Sequence, residues 1–360
     1  MSATGFNYCR GAPLAQGVIS SFTVERPALS FNRFSTVGRD MSLSSYILRR
    51  FLSNPREALR IKKAGDELRA YAVWRIYTQL ELEGILQSLQ TQAWWSYRDQ
   101  VLAKLLCDAL VEEGLAAWEG DRIKLKRSPE KPAITTIEAA DMVPVIDRAA
   151  EALPRALLLG EKPSRDKTQA LTAKLLDNFA VKLEFEAAIE EAGLGKLDQN
   201  STIADIHPRV GTSTLTLLEQ TKARVVVIEP YRDNIEIIRR LVELHGQEGR
   251  VSFIPSTPEE ALLPEKVDAA FMGEVAHWIP SPRLALANVR RMLKDDGTLA
   301  IAQTTYSSLG LIMSLPGYLL GALQAPPESG ELRRMLTNSG FKVEKWLESM
   351  GVALVKASPS

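Results

Sequence analysis

Apolar positions along the chain change their period part-way. From Ser42 to about Ser128 they recur three and four apart, which predicts helices. The stretch REALRIKKAGDELRAYAVWRIYTQLELEGILQSL (56–89) places Leu68, Tyr71, Ala72, Ile76 and Leu80 on one side of a helix. A second helix over 97–113 buries Val101, Leu105 and Ala109, with Leu102 as a further candidate, and Gly114 closes it as a residue free to turn left-handed. LAAW and RIKLK then predict two short strands around a turn at Glu119, Gly120 and Asp121. SPEKPAITT (128–136) is a connector, followed by helical segments over 137–158 and 168–193.

From Thr202 short β-branched runs alternate with helical ones. TIADI, RVVVIEP (224–230), RVSFIP (250–255), VDAAFMG (267–273) and GTLAIAQTT (297–305) predict strands. Helices are expected after Gly211, over 232–245 and over 281–294. Such alternation builds a parallel sheet with helices on both faces. FKVEKWLESM and VALVKA add two strands one turn apart, an antiparallel edge hairpin.

Charge removes some functional classes. Basic and acidic residues balance at 44 each, so no overall field favours nucleic acid or an anionic membrane. Helix, helix and two-stranded wing outline a winged helix, whose Arg122, Lys124, Lys126 and Arg127 are weighed as phosphate contacts. Helix 97–113, however, carries Asp99, Asp108, Glu112 and Glu113 against Arg98 and Lys104, so the wing basics read as a solvated rim and nucleic acid is not the expected partner. Trp94 and Trp95 read as packing or a subunit interface. Two cysteines, Cys9 and Cys107, exclude a disulfide framework and a CxxC metal knuckle and suit a cytoplasmic protein. His207, His245 and His277 lack the spacing of a helical zinc site, so no metal is expected. No run of about 20 apolar residues predicts a membrane span. Residues 1–40, rich in Ser and Thr, read as a disordered leader or an upstream extension before Met41, in preference to a transit peptide.

Three features together resemble the class I S-adenosylmethionine-dependent methyltransferases over about residues 196–358. STIADI with the following tight loop and Gly211 stands where that family has its first strand and glycine-rich loop. VVVIEP ends its strand on Glu229, where the family holds both ribose hydroxyls with an acid, a carboxylate accepting two hydrogen bonds from a vicinal diol. VDAAFMGEVAHWIPSPRLALANVRRMLKDDGTLAI is similar to the family's fourth strand, helix and fifth strand. The resemblance implies a doubly wound, mostly parallel, seven-stranded α/β sheet. The order of parts resembles small-molecule O-methyltransferases, with a disordered segment over 1–40, a winged-helix-like domain over 41–128, a helical connector over 129–195 and the cofactor domain over 196–358.

The loop departs from the family pattern. Over 205–211, acid-x-Gly-x-Gly-x-Gly reads Asp205, Ile206, His207, Pro208, Arg209, Val210, Gly211, so two glycines are replaced. Glycine serves there because it permits φ > 0 and a close approach of the cofactor. Arg209 with Thr212, Ser213 and Thr214 is expected to hold the methionine end of S-adenosylmethionine; the rival reading has His207 and Arg209 filling the cleft. Asp205, Gly211, Thr212, Glu229 and Glu274 complete the expected cofactor contacts, with Ser256 and Thr257 at the adenine end. The resemblance makes His277, in EVAHWI, the candidate general base, against a structural reading of the same residue. The apolar insertion 305–330 reads as a lid, a dimer contact or a membrane-surface patch. The expected activity is methylation of a hydrophobic small molecule by a homodimer, and the alternative is a non-catalytic winged-helix regulator or scaffold.

Overall fold

The structure, a computed structural model, describes residues 54–306, 311–349 and 351–360, and all of them fall in one compact unit. The expectation for residues 1–40 lies outside the described residues.

Helix α1 (Pro55–Leu82) starts at Asn54, whose side chain accepts a hydrogen bond from the Glu57 N–H, with Pro55 pre-set for the first turn. Leu68, Ala72, Ile76 and Leu80 are buried as their spacing predicts. The helical run does not continue unbroken to residue 89: Gly84 turns left-handed at φ 67° and a separate α2 (Ile85–Thr91) follows. In α3 (Gln100–Glu112) Asp99 caps the Leu102 N–H at 2.9 Å. Here the expected face shifts by one residue. Leu102, Leu105, Leu106 and Ala109 go inward, whereas Val101 is 49% exposed. Spacings of three, one and three fit one helical stripe, which Val101 would widen past the available core. Strands β1 (Ala116–Glu119) and β2 (Arg122–Leu125) pair antiparallel around Gly120.

The segment expected to connect two domains is core. Helix α4 (Ile137–Leu159) packs along α1 and buries Val145, Ile146, Ala149, Ala150 and Leu153. The next helical run is two helices, α5 (Arg165–Leu176) and α6 (Phe179–Ala192), because the Asn178 side chain accepts from the N–H groups of Ala180 and Val181 and starts a new one.

Strands β3 (Thr202–Ile206), β4 (Arg224–Ile228), β5 (Val251–Ile254), β6 (Val267–Gly273), β7 (Leu293–Thr304), β8 (Phe341–Ser349) and β9 (Val352–Pro359) form one sheet in the order β5-β4-β3-β6-β7-β9-β8. The first five are parallel, and β9 runs antiparallel to both β7 and β8. Side chains of α6, α7 (Thr212–Gln220) and α8 (Arg232–Leu244) share a core with one face. Those of α9 (Pro282–Met292) and α11 (Ser329–Asn338) share one with the other. Each fully buried Leu, Ile or Phe in these cores contributes about 1.5–3 kcal/mol.

The apolar insertion after β7 lies in the core rather than on the surface. Helix α10 (Leu311–Leu320) buries Leu311, Ile312, Leu315, Tyr318, Leu319 and Leu320 in the same core as α1, α3 and α4. A dimer contact or membrane patch made by those side chains would need them exposed. Instead they pack against the N-terminal helices, and the Tyr318 hydroxyl donates to Asp99 at 3.0 Å.

Candidate active site

The carboxyl ends of β3, β4, β6 and β7 carry the polar residues. Past β3 the His207 N–H donates to the Ile228 carbonyl at 2.8 Å, extending the ladder by one residue. His207 and Arg209 then take φ of 52° and 54°, and Gly211 takes 88°. Non-glycine residues have therefore adopted a backbone that suits glycine, at a strain of about 1–3 kcal/mol each. At Gly211 a Cβ would stand 3.0 Å from Ile238, so the third glycine is kept for space as well as angle.

Glu229, just beyond β4, is fully buried. Its Oε2 accepts from the Arg209 N–H at 3.1 Å and lies 3.0 Å from His207 Nδ1, which makes no well-directed hydrogen bond there. Its Oε1 accepts from the Tyr231 N–H at 3.1 Å and Asn234 Nδ2 at 2.9 Å. Burial opposes the charge, but His207, Tyr231 and Asn234 outweigh it and hold the carboxyl below its ordinary pKa. Asp205 is equally buried and accepts from Ser213 Oγ at 2.9 Å and Thr214 Oγ1 at 2.6 Å. Burial still raises it to about 7, against those two hydroxyls.

The second cluster lies where β6 and β7 end. The Arg209 guanidinium stacks on Trp278 at 4.4 Å from the ring centre and donates from Nη1 to the Glu274 carbonyl at 3.1 Å. Burial lowers it to about 10, which leaves it charged near neutrality. Glu274, at φ 55°, accepts on Oε1 from the Thr304 N–H at 2.5 Å and Thr304 Oγ1 at 3.0 Å. His277 has Nε2 3.7 Å from Glu274 Oε2 and Nδ1 2.9 Å from Gln303 Nε2. Burial, helped by Arg209, pushes the His277 pKa down to about 3, so the ring is neutral under physiological conditions.

Residues 208–301 match the family model described as a methyltransferase domain. Residues 208–301 are thus a methyltransferase domain, dependent on S-adenosylmethionine. The methyltransferase shares its fold with an O-methyltransferase family 2 protein from Planctomyces limnophilus DSM 3776, solved in complex with apigenin, at 17% identity and a TM-score of 0.53 over 88% of this chain and 96% of that one. The CurJ carbon methyltransferase is 16% identical with a TM-score of 0.60, over 87% of this chain and 98% of that one. For the citrinin polyketide synthase CMeT domain the values are 14% and 0.55, over 90% and 99%. No curated protein matches the chain.

The methyltransferase's residues fit the cofactor in kind. Glu229 stands at a strand end as a diol acceptor, and the left-handed loop follows a glycine-compatible path. A carboxylate offers about four acceptor sites; here three hydrogen bonds are made and His207 Nδ1 crowds Oε2 without a directed one. Two of the three donors are backbone N–H groups that stay put; the His207 and Asn234 side chains are the groups that can yield to ribose hydroxyls.

Other sequence candidates are engaged elsewhere. Thr212 Oγ1 donates to Asp177 at 3.2 Å, and Ser213 and Thr214 serve Asp205, so the hydroxyls of this helix start already have carboxylate partners. Arg209 turns toward Trp278 and Glu274. Ser256 and Thr257 hydrogen-bond within their own turn after β5. Sequence reasoning missed Asn234, Gln303 and Glu184. Gln303 was detectable as the one amide in the apolar strand LAIAQTT, and Glu184 as an acid in the apolar segment VKLEFEAAI.

Proposed function

We propose that the enzyme methylates a hydroxyl of a hydrophobic small molecule. The observation that carries this reading is the buried proton-handling cluster of Glu274, His277 and Gln303, placed at the strand ends between the sheet and the helical half. Methyl transfer to a neutral hydroxyl requires a proton acceptor at the acceptor oxygen, and the rings of Trp278, stacked on Arg209, and Phe185, packed on Gly273, give the neighbourhood of Glu274 an apolar character that suits an apolar molecule. The Planctomyces protein's complex with apigenin supports the same class of acceptor.

When bound, S-adenosylmethionine supplies a methyl group already activated on a sulfonium. The chain's own residues then have three tasks. Glu229 holds the ribose once His207 and Asn234 release it. The loop 207–211 and the start of α7 set the position of the methionine end. Trp278 and the packed helices above it keep water from the reacting atoms. The test is incubation of the purified protein with labelled S-adenosylmethionine and a panel of apolar hydroxy compounds. Label transfer to oxygen is the expected result, and turnover only on protein or RNA would reject the reading.

A further inference from the structure

Several buried polar atoms in this region lack any hydrogen-bond partner: Glu184 Oε2, Arg209 Nε and Trp278 Nε1. They come from three separate elements, α6, the loop after β3 and the segment after β6. Their meeting is fixed by packing. Phe185, next to Glu184, lies so close over Gly273 that a Cβ there would be 2.6 Å from its ring. This sets Glu184 beside Glu274, near enough for burial and then the Glu274 charge to raise the Glu184 carboxyl.

The hydrogen bonds around His277 decide its tautomer. The Ala276 N–H donates to Gln303 Oε1 at 2.9 Å, and Gln303 Nε2 donates to the Thr304 carbonyl at 2.9 Å. The amide is thereby oriented, and the group that faces His277 Nδ1 is an N–H donor. Nδ1 must accept, so the proton of the neutral ring sits on Nε2, on the side of Glu274. Held this way, the ring has no lone pair to offer at Nε2, and its Nδ1 lone pair is occupied.

We propose that Glu274, paired with Glu184, is the group that takes the acceptor's proton, and that His277 is a positioning residue whose Nε2–H faces this carboxylate. The inference rests on the methyltransferase reading above. As the acceptor oxygen bonds to the methyl carbon, the carbon–sulfur bond breaks and its electron pair stays on sulfur. The hydroxyl proton passes to a Glu274 oxygen. The unpartnered N–H groups of Arg209 and Trp278 are left for an accepting oxygen on the same small molecule.

The titratable groups that face Glu274 are Glu184 from α6, Arg209 from the β3 loop and the neutral His277 from its own segment. Burial raises Glu274 to about 7, with Thr304 and then Arg209 acting the other way. Burial, and then Glu274, raise Glu184 further. Both carboxyls are thus held above their ordinary range, with Glu274 as the charged neighbour that Glu184 meets.

The test uses the full chain with isotopically labelled histidine, the His277→Gln variant assigning the signal by nuclear magnetic resonance. A neutral ring protonated at Nε2 from about pH 5 to about pH 9 is expected. A ring protonated at Nδ1, or one that titrates near neutrality, overturns the proposal. Infrared spectra taken in the Asp205→Asn background, which removes the other raised carboxyl, supply a second readout: a protonated carboxyl band near neutral pH that weakens in Glu184→Gln is expected, and a band unchanged by that substitution also overturns the proposal. Failure of the underlying reading shows separately, as no binding of S-adenosylmethionine by the wild type or His207→Gly, and that result removes the inference with it.

Discussion

His207 Nδ1 lies 3.0 Å from Glu229 Oε2, so a residue in a glycine's place occupies the carboxylate that the cofactor's ribose requires. The contact is close but poorly directed, and the backbone beneath it is left-handed at φ 52°. His207→Gly removes both the competitor and the strain. Affinity for S-adenosylmethionine is expected to tighten by about tenfold or more, which corresponds to about 1.4 kcal/mol. Calorimetric titration of the variant beside the wild type checks this; equal affinities would show that the imidazole does not compete.

The rate of methyl transfer is expected to rise with pH through about 7, because burial raises the Glu274 carboxyl to about that value and only its ionised form accepts a proton. Arg209 favours the ionised form, so Arg209→Gln should move the midpoint upward. Glu274→Gln should lower the rate by about 10²-fold or more and flatten the profile. A profile unchanged in both variants would assign the titration to another group.

Gly273 has no room for a side chain. A Cβ there would meet Phe185 at 2.6 Å and Phe271 at 2.8 Å, both rings being buried. Gly273→Ala is expected to destabilise the fold by about 1–3 kcal/mol, measured by urea unfolding. It should also disturb the Glu184–Glu274 pairing, because Phe185 is the neighbour of Glu184.

The order of strands and helices in the C-terminal half was legible because each short β-branched run there is bounded by a turn and followed by a periodic helix. Glu229 and the loop 205–211 could be located for the same reason, since strand ends place them on one edge. Interactions between distant segments were not legible. Nothing in TYSSLGLIMSLPGYLLGALQAPPESG distinguishes an exposed apolar helix from one buried against α1, α3 and α4. The split at Asn178 required knowing that its side chain would cap a helix rather than sit within one. The tautomer of His277 depends on Gln303, 26 residues away, and on the Ala276 N–H that orients its amide.

Asp205 gives a pH-dependent stability. Its folded pKa is raised to about 7 from 3.8, so the folded state holds this proton more tightly than the unfolded chain. The contribution is fully present below the unfolded value and is lost as pH rises toward the folded one, then stays constant. Asp205→Asn lacks this dependence. The melting temperature of the variant relative to wild type should therefore climb between about pH 4 and about pH 7 and level off above, as followed by thermal denaturation. A difference independent of pH would mean that Asp205 titrates normally.

The central claim is that this degenerate loop still serves a cofactor held by Glu229. Isothermal titration of S-adenosylmethionine into wild type and Glu229→Ala tests it most directly. Saturable binding at about micromolar concentration, weakened by about 10²-fold or more in the variant, is the predicted result. Identical binding by both proteins, or none by the wild type and by His207→Gly alike, would contradict it.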